Sequence, residues 1–343
     1  MGGTETYVRE MVQALDRRDD VTLTTYVGRP AAGALGARNE VVDPSVAPAS
    51  SSLSRLTTIG RGLVRGRSAA RELARADVVH HAFTVPVPPV RRVPQVRSLA
   101  DVQHLDLPDL FSRAERIYRS VAYDRAARSA DAVVTLSGFS RDRIVERLGI
   151  EASRIHVTHL GVVPEDFVSS PDREPFVLYP ARPWAHKNHA RLVEAMGLVR
   201  RQHPDVRLVL TGGGTESLPD LPSWVEARGG VPLAELRSLY SRASCLAFPS
   251  LYEGFGLPPL EAMASGCPVA AADAGSIPEV CGDAAVLFDP YDVQAIARGI
   301  EEALSSGTRL RELGHQQVRS FTWEGCAEAT VAAYRAVTDS PSG

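Results

Sequence analysis

Apolar residues recur along the chain in short runs separated by longer amphipathic stretches, the pattern of an α/β protein. Positions 5–17 repeat at helical spacing and 21–27 read as a strand. The pattern then predicts a helix over about 61–75, strands over 77–81 and 95–99, and a long helical region over 112–129. A strand at 131–135, a helix at 138–148 and a strand at 154–158 complete an alternating front half. Residues 160–175, with Pro164, Pro171 and Pro175, read as a linker. Strands near 176–179, 206–211, 226–230, 244–248, 268–272 and 285–287 alternate with helices in the second half. Val206–Leu210 and Pro268–Ala272 are apolar enough to be buried strands of a parallel sheet. A last helix is predicted around 323–337. The expected division is 1–163, 164–322 and a terminal segment 323–343.

The most informative segment runs from Glu253 through Gly254, Phe255, Gly256, Leu257, Pro258, Pro259 and Leu260 to Glu261. Pro258 and Pro259 suit the first helical positions, where a missing N–H costs nothing, and Gly266 with Pro268 supplies a stop. A glycine-broken turn opening into a helix points backbone N–H groups at whatever lies before it, a setting suited to phosphate. Carboxylates there would repel phosphate. Glu253 and Glu261 are better used on sugar hydroxyls, which donate hydrogen bonds to a carboxylate.

Lys187 is the only lysine in a chain with 37 arginines. An ammonium is a compact point charge and a guanidinium a broad planar fork, so a retained lysine suggests a crowded anion site. It lies in the loop from Arg182 to Asn188, after the predicted strand Phe176–Pro180. Ligands of open α/β sheets bind outside the carboxyl ends of strands, where Arg182 and Lys187 would stand.

These residues carry a family resemblance. The Arg182/Lys187 loop, the Gly212, Gly213, Gly214 turn, the Pro249–Pro258 segment and two glutamates eight positions apart resemble retaining glycosyltransferase family 4, the group 1 glycosyl transferases. Gly2 and Gly3, Leu136–Ser140, His159–Val162, Ser276–Glu279, Phe288–Pro290 and Phe321–Trp323 extend it over nearly the whole chain. The resemblance implies the GT-B architecture: two Rossmann-like doubly wound domains facing a cleft, acceptor in the first, nucleotide sugar in the second. It implies catalytic roles for Arg182, Lys187, Glu253 and Asp101, the last keeping the aspartate position of the family's acceptor-side pair. Donor contacts would come from Gly2, Gly3, Gly213, Val231, Gly254, Phe255, Gly256, Leu257 and Glu261. The last helix would return to the first domain.

Two departures from the family pattern stand out. Met1 directly precedes Gly2 and Gly3, so the apolar first strand of the N-terminal sheet is expected to lie upstream of this start. The family's His-Asp pair after a front-half strand is reduced to Asp101, with Ala100 in the histidine position. His104 could reach the same space or be a surface loop histidine. His80 and His81, ending the 77–81 strand, are further acceptor-side candidates, one facing the site and one packing.

Charge is uneven. Residues 1–160 hold 23 Arg against 18 acidic residues, and the remainder 15 basic against 23 acidic. Arg55 to Arg75, interleaved with Leu56, Ile59, Leu63 and Val64, fits a helix lying on an anionic membrane, a site for an acidic acceptor, or a solvated helix face. With no signal peptide, no long apolar run and four cysteines in no metal-like spacing, the expectation is a cytoplasmic protein with peripheral contact at the inner membrane face as an option. No cofactor, metal or nucleic-acid partner is expected. The donor would be a nucleotide diphosphate sugar, mannose or rhamnose favoured, and the acceptor a small molecule, glycan or lipid-linked hydroxyl. Alternatives are a nucleotide-sugar epimerase, a phosphorylase, or a non-catalytic binding partner of an active transferase.

Overall fold

A computed structural model describes residues 3–43, 73–85, 90, 92–170 and 172–339. The chain divides into two compact units. Unit 1 comprises residues 1–136, 140–159 and 323–343, and unit 2 residues 137–139 and 160–322. Gly2 and most of the Arg55–Arg75 region lie outside the described residues.

Unit 1 opens with helix α1 (Gly3–Asp16), whose apolar face buries Tyr7, Val8, Met11, Val12 and Leu15. Strands β1 (Thr25–Gly28) and β2 (Glu40–Asp43) pair in parallel as a separate two-stranded sheet. Strands β3 (Val79–His81), β4 (Gln95–Ser98), β5 (Ala132–Thr135) and β6 (Ile155–Val157) form a parallel sheet in that spatial order. Between β4 and β5 lie α2 (Gln103–Asp106) and α3 (Arg113–Arg119). A single π turn, Ser120–Asp124, joins α3 to α4 (Arg125–Arg128). Helix α5 (Gly138–Leu148) has the predicted bounds.

Unit 2 holds a six-stranded parallel sheet. Its strands are β7 (Glu174–Pro180), β8 (Arg207–Thr211), β9 (Val225–Ala227), β10 (Ala243–Phe248), β11 (Val269–Ala272) and β12 (Ala285–Phe288). The order β12-β11-β10-β7-β8-β9 places β7 beside β10. From β7 the chain winds outward to β8 and β9, and from β10 it winds the other way. That reversal is a topological switch point, where doubly wound sheets open a crevice for ligands. The connecting helices are α6 (His189–Gln202), α7 (Leu233–Arg242), α8 (Leu257–Ala264), α9 (Ile277–Cys281), α10 (Val293–Ser305) and α11 (Gly307–Val318). The sheet is apolar on both faces because helices cover both; Val177, Leu178, Leu208, Leu246 and Phe248 are fully buried.

The last helix, α12 (Trp323–Thr338), packs on α1 and on the unit 1 sheet, with Ala333 buried against Val96, Ala132 and Val134. A closed polar chain accompanies these contacts. Tyr334 Oη and His80 Nδ1 are 2.8 Å apart, His80 Nε2 and Ser98 Oγ 2.9 Å, and Ser98 Oγ and Tyr7 Oη 2.9 Å. Both ring nitrogens of His80 are therefore engaged by the interior. Burial, with neighbouring His81 adding to it, holds the imidazole neutral and pushes its pKa down to about 3.

Candidate donor site at the switch point

The loop after β7 is held from several sides. Tyr179, fully buried on β7, donates its hydroxyl to the carbonyl of Lys187 at 2.7 Å. The Leu251 amide donates to the His186 carbonyl at 2.8 Å, which ties this loop to the one after β10. Asn188 takes a left-handed conformation (φ 62°), which Asn adopts more readily than most residues. Its buried amide group donates to the carbonyls of Pro249 (3.1 Å) and Pro290 (2.7 Å). His189, the first residue of α6, has Nε2 3.2 Å from the Ala181 carbonyl.

This frame sets Lys187 Nζ 2.5 Å from Glu253 Oε1, both side chains largely buried. The ammonium also lies 5.6 Å from the centre of the Phe248 ring. Arg182 is exposed, its guanidinium over the Trp184 ring at 5.9 Å, and it has no ion pair among the described residues.

The Glu253 to Glu261 segment forms the expected turn and helix. Gly256 is left-handed (φ 109°) and precedes Leu257, the first residue of α8. A side chain at 256 would press on Ile277. Ser276 Oγ donates to the Phe255 carbonyl at 2.6 Å and lies 3.0 Å from the Glu253 carbonyl, and Phe255 is buried edge-on to Phe321. Since Pro258 and Pro259 carry no N–H, the amides this helix start can offer are those of Gly256 and Leu257 and the interior Leu260, fewer than at an ordinary helix start.

Glu261 turns to a different partner from Glu253: its Oε2 accepts the Tyr240 hydroxyl at 2.8 Å. Its other oxygen receives no protein hydrogen bond among the described residues. Burial raises its pKa to about 7, partly offset by the Tyr240 hydrogen bond and the charge of Arg237.

The glycine turn after β8 meets the loop after β9. The Gly212 amide donates to the Gly229 carbonyl at 2.7 Å, and Gly213 lies against Gly230, the neighbour of Val231. A Cβ at Gly212 would stand 2.6–2.8 Å from the backbone of Ala181 and Arg182, so this position admits only glycine if the Arg182 loop is to stay in place.

The unit 1 candidates are placed as follows. Gly3 begins α1. Asp101 Oδ1 accepts the Gln103 amide at 3.0 Å just after β4. His80 belongs to the polar chain under α12 and does not offer a free nitrogen. His81 is buried beside Arg97 on the neighbouring strand, and burial lowers its pKa to about 4. His104 is not a surface loop histidine: it is buried on α2, with Nε2 3.0 Å from Asp124 Oδ1. Sequence reasoning missed Asn188, Tyr179, Tyr240 and Asp124, and it placed Ser276 in a resemblance segment without giving it this role. Of the missed residues only Asn188 carries a local signal, as an Asn directly before a helix.

Two parallel α/β units of Rossmann-like type, the second with a topological switch point and a cation–carboxylate pair beside it, define the fold class. The sequence comparisons narrow it. The family description "Glycosyltransferase Family 4" matches residues 1–166, and "Glycosyl transferases group 1" matches residues 165–318. The chain belongs to this family of GT-B glycosyltransferases. It is 31% identical over 271 residues to O-antigen chain mannosyltransferase B of Escherichia coli, covering 70% of each chain. It is 33% identical over 227 residues to the MMP alpha-(1->4)-mannosyltransferase of Mycolicibacterium hassiacum, covering 61% of this chain and 55% of that one. The structure of Anabaena Alr3699/HepE in complex with UDP-glucose superposes with a TM-score of 0.73 at 18% identity, covering 97% and 95% of the two chains. No helix among the described residues is long and apolar enough to cross a membrane.

Proposed function

We propose that this protein transfers a mannosyl group from a nucleotide diphosphate sugar to an acceptor hydroxyl with retention of configuration. The observation that carries the reading is the Lys187–Glu253 pair at the switch point of unit 2, one turn before the start of α8. Similarity to two mannosyltransferases favours mannose over other hexoses and over rhamnose.

Breaking the sugar–phosphate bond sends its electron pair to the diphosphate, so the largest assistance comes from positive charge already in place there. Lys187 supplies an ammonium held by Glu253, Arg182 a guanidinium with no ion pair among the described residues, and Gly256 and Leu257 backbone amides. Glu261 offers its second oxygen to ribose hydroxyls, and Glu253 accepts from a donor-sugar hydroxyl while bracing Lys187. Gly213 and Val231 line the space for the base. Retention follows if the acceptor oxygen bonds to the anomeric carbon on the face the diphosphate leaves, its proton passing to the departing phosphate oxygen. Asp101 is the acceptor-side carboxylate in this reading, and the acceptor is a small-molecule, glycan or lipid-linked hydroxyl.

The test is thermal unfolding with UDP, GDP and dTDP and their sugars. A ligand that binds only the folded state raises apparent stability. Protection by GDP-mannose, with mannose appearing on an added acceptor, supports the reading. Protection by none of the nucleotides would end it.

A further inference from the structure

We propose that the groove between α2 and α3 of unit 1 binds a phosphate-bearing ligand, a site independent of the donor reading above. The groove has a volume of about 450 Å³. That is in the range of small-molecule sites, roughly 300–1,000 Å³. One wall is formed by His104, Leu105 and Pro108, the other by Arg113, Arg116 and Ile117, with Ser120 closing it.

The charge of the groove is what selects the ligand. Arg113 and Arg116 have no ion pair among the described residues. The nearby carboxylates are engaged elsewhere. Glu115, between the two arginines in sequence, accepts from the Ser112 amide (3.0 Å) and hydroxyl (2.8 Å) in a capping box. Asp106 is held by Arg143 and by Arg147 (2.7 Å). Asp124 is buried behind His104. Asp109 does not line the groove. Two guanidiniums and a hydroxyl on one concave surface, with no carboxylate on its lining, suit a phosphate, which accepts paired hydrogen bonds from Arg.

The local fold supports a ligand site over simple packing. The chain leaves α3 by a π turn, a feature found often at functional sites, and that turn has Ser120 at the groove and Asp124 in the interior against His104. Leu105, Pro108 and Ile117 give the groove an apolar side, so the favoured ligand is a phosphate ester rather than phosphate alone.

The experiment titrates the full chain with inorganic phosphate and glycerol 3-phosphate by calorimetry, at matched ionic strength with chloride. In parallel it sediments the protein with vesicles of phosphatidylcholine, with and without phosphatidylglycerol. The Arg113→Ala/Arg116→Ala variant is compared in both arms. Binding of free glycerol 3-phosphate without vesicle capture assigns the site to soluble phosphate esters. Capture only by phosphatidylglycerol vesicles, competed by glycerol 3-phosphate, assigns it to a lipid headgroup. In either case the double variant should bind roughly tenfold or more weakly, the scale of losing hydrogen bonds to a charged group. Binding of neither probe, or binding the double variant retains in full, overturns the proposal. Nucleotide protection separates the two readings. A variant still protected by nucleotide whose phosphate binding is unchanged sinks the groove alone. Absence of nucleotide protection in the unaltered protein sinks the transferase reading and leaves the groove to its own titration.

Discussion

Lys187 Nζ sits 2.5 Å from Glu253 Oε1, joining the loops that follow the two central strands of unit 2. The pair holds the only ammonium side chain in the protein in one position before any donor arrives. In the proposed reaction that charge meets the leaving diphosphate. Lys187→Ala is expected to lower kcat by about 10²–10³-fold, the scale of removing one preorganised donor to a developing anion. Lys187→Arg should recover little of this, because a planar fork does not replace a point charge in a crowded loop. Steady-state kinetics with circular dichroism as a folding control check both; near-normal turnover in the alanine variant would refute the assignment.

Glu261 gives the site a pH signature. Its folded pKa of about 7 stands above the ordinary value of 4.5, so between those limits the folded protein binds more protons than the unfolded chain. Stability attributable to this group therefore falls as pH rises through that window. Glu261→Gln, which keeps the shape and removes the titration, should flatten the slope and raise the melting temperature at pH 8 relative to pH 5. Melting curves of the two proteins across pH 4.5–8 decide it. An unchanged slope in the variant places the pH dependence elsewhere.

Much of this site was readable because its signals are local. The turn at Gly256, the two prolines after it and the apolar strands of unit 2 announce themselves within a few residues of sequence. Helix α5 was placed to the residue for the same reason. The failures share another cause. β2, a four-residue strand with Glu40 and Asp43 at its ends, has too little alternation to stand out, and it exists because β1 pairs with it. His80 reads as a strand-end histidine free to face a substrate, yet its partner Tyr334 lies 254 residues away. His104 reads as a loop residue because Asp124 is 20 positions on, beyond a π turn that no periodicity predicts. Partners supplied from across the fold leave no trace in the spacing around the residue itself.

Gly212 shows how closely the loops at the switch point are packed. With φ at 121° and a hypothetical Cβ at 2.6–2.8 Å from Ala181 and Arg182 backbone atoms, a methyl group there has no flexible neighbour to displace. Gly212→Ala should destabilise the protein by about 1–3 kcal/mol, the cost of a residue forced into such a backbone region. It should also weaken nucleotide protection by moving the Arg182 loop. Gly213→Ala, where a Cβ meets no atom within 4 Å, is the control and should leave stability nearly unchanged. Chemical denaturation of the two variants side by side tests the contrast.

The polar chain beneath α12 makes unit 1 sensitive to acid. His80 has a folded pKa of about 3 against an ordinary 6.5, so from pH 6.5 down to about 3 the unfolded chain binds a proton the folded protein excludes. The stability this contributes is fully present above pH 6.5 and is lost as pH falls towards 3. His81, lowered to about 4 by burial beside Arg97, acts in the same direction. Removing the Tyr334 hydroxyl leaves His80 Nδ1 without its partner in a dry interior, at a cost of about 1–3 kcal/mol. Tyr334→Phe should therefore unfold at lower denaturant concentration at pH 7.5. It should also shift acid unfolding to higher pH, since a less stable fold reaches its midpoint before His80 is fully titrated. Tyr334→Phe with an unaltered denaturation midpoint would mean that the hydroxyl does not hold His80, and that α12 is retained on unit 1 by its apolar contacts with Val96, Ala132 and Val134 alone.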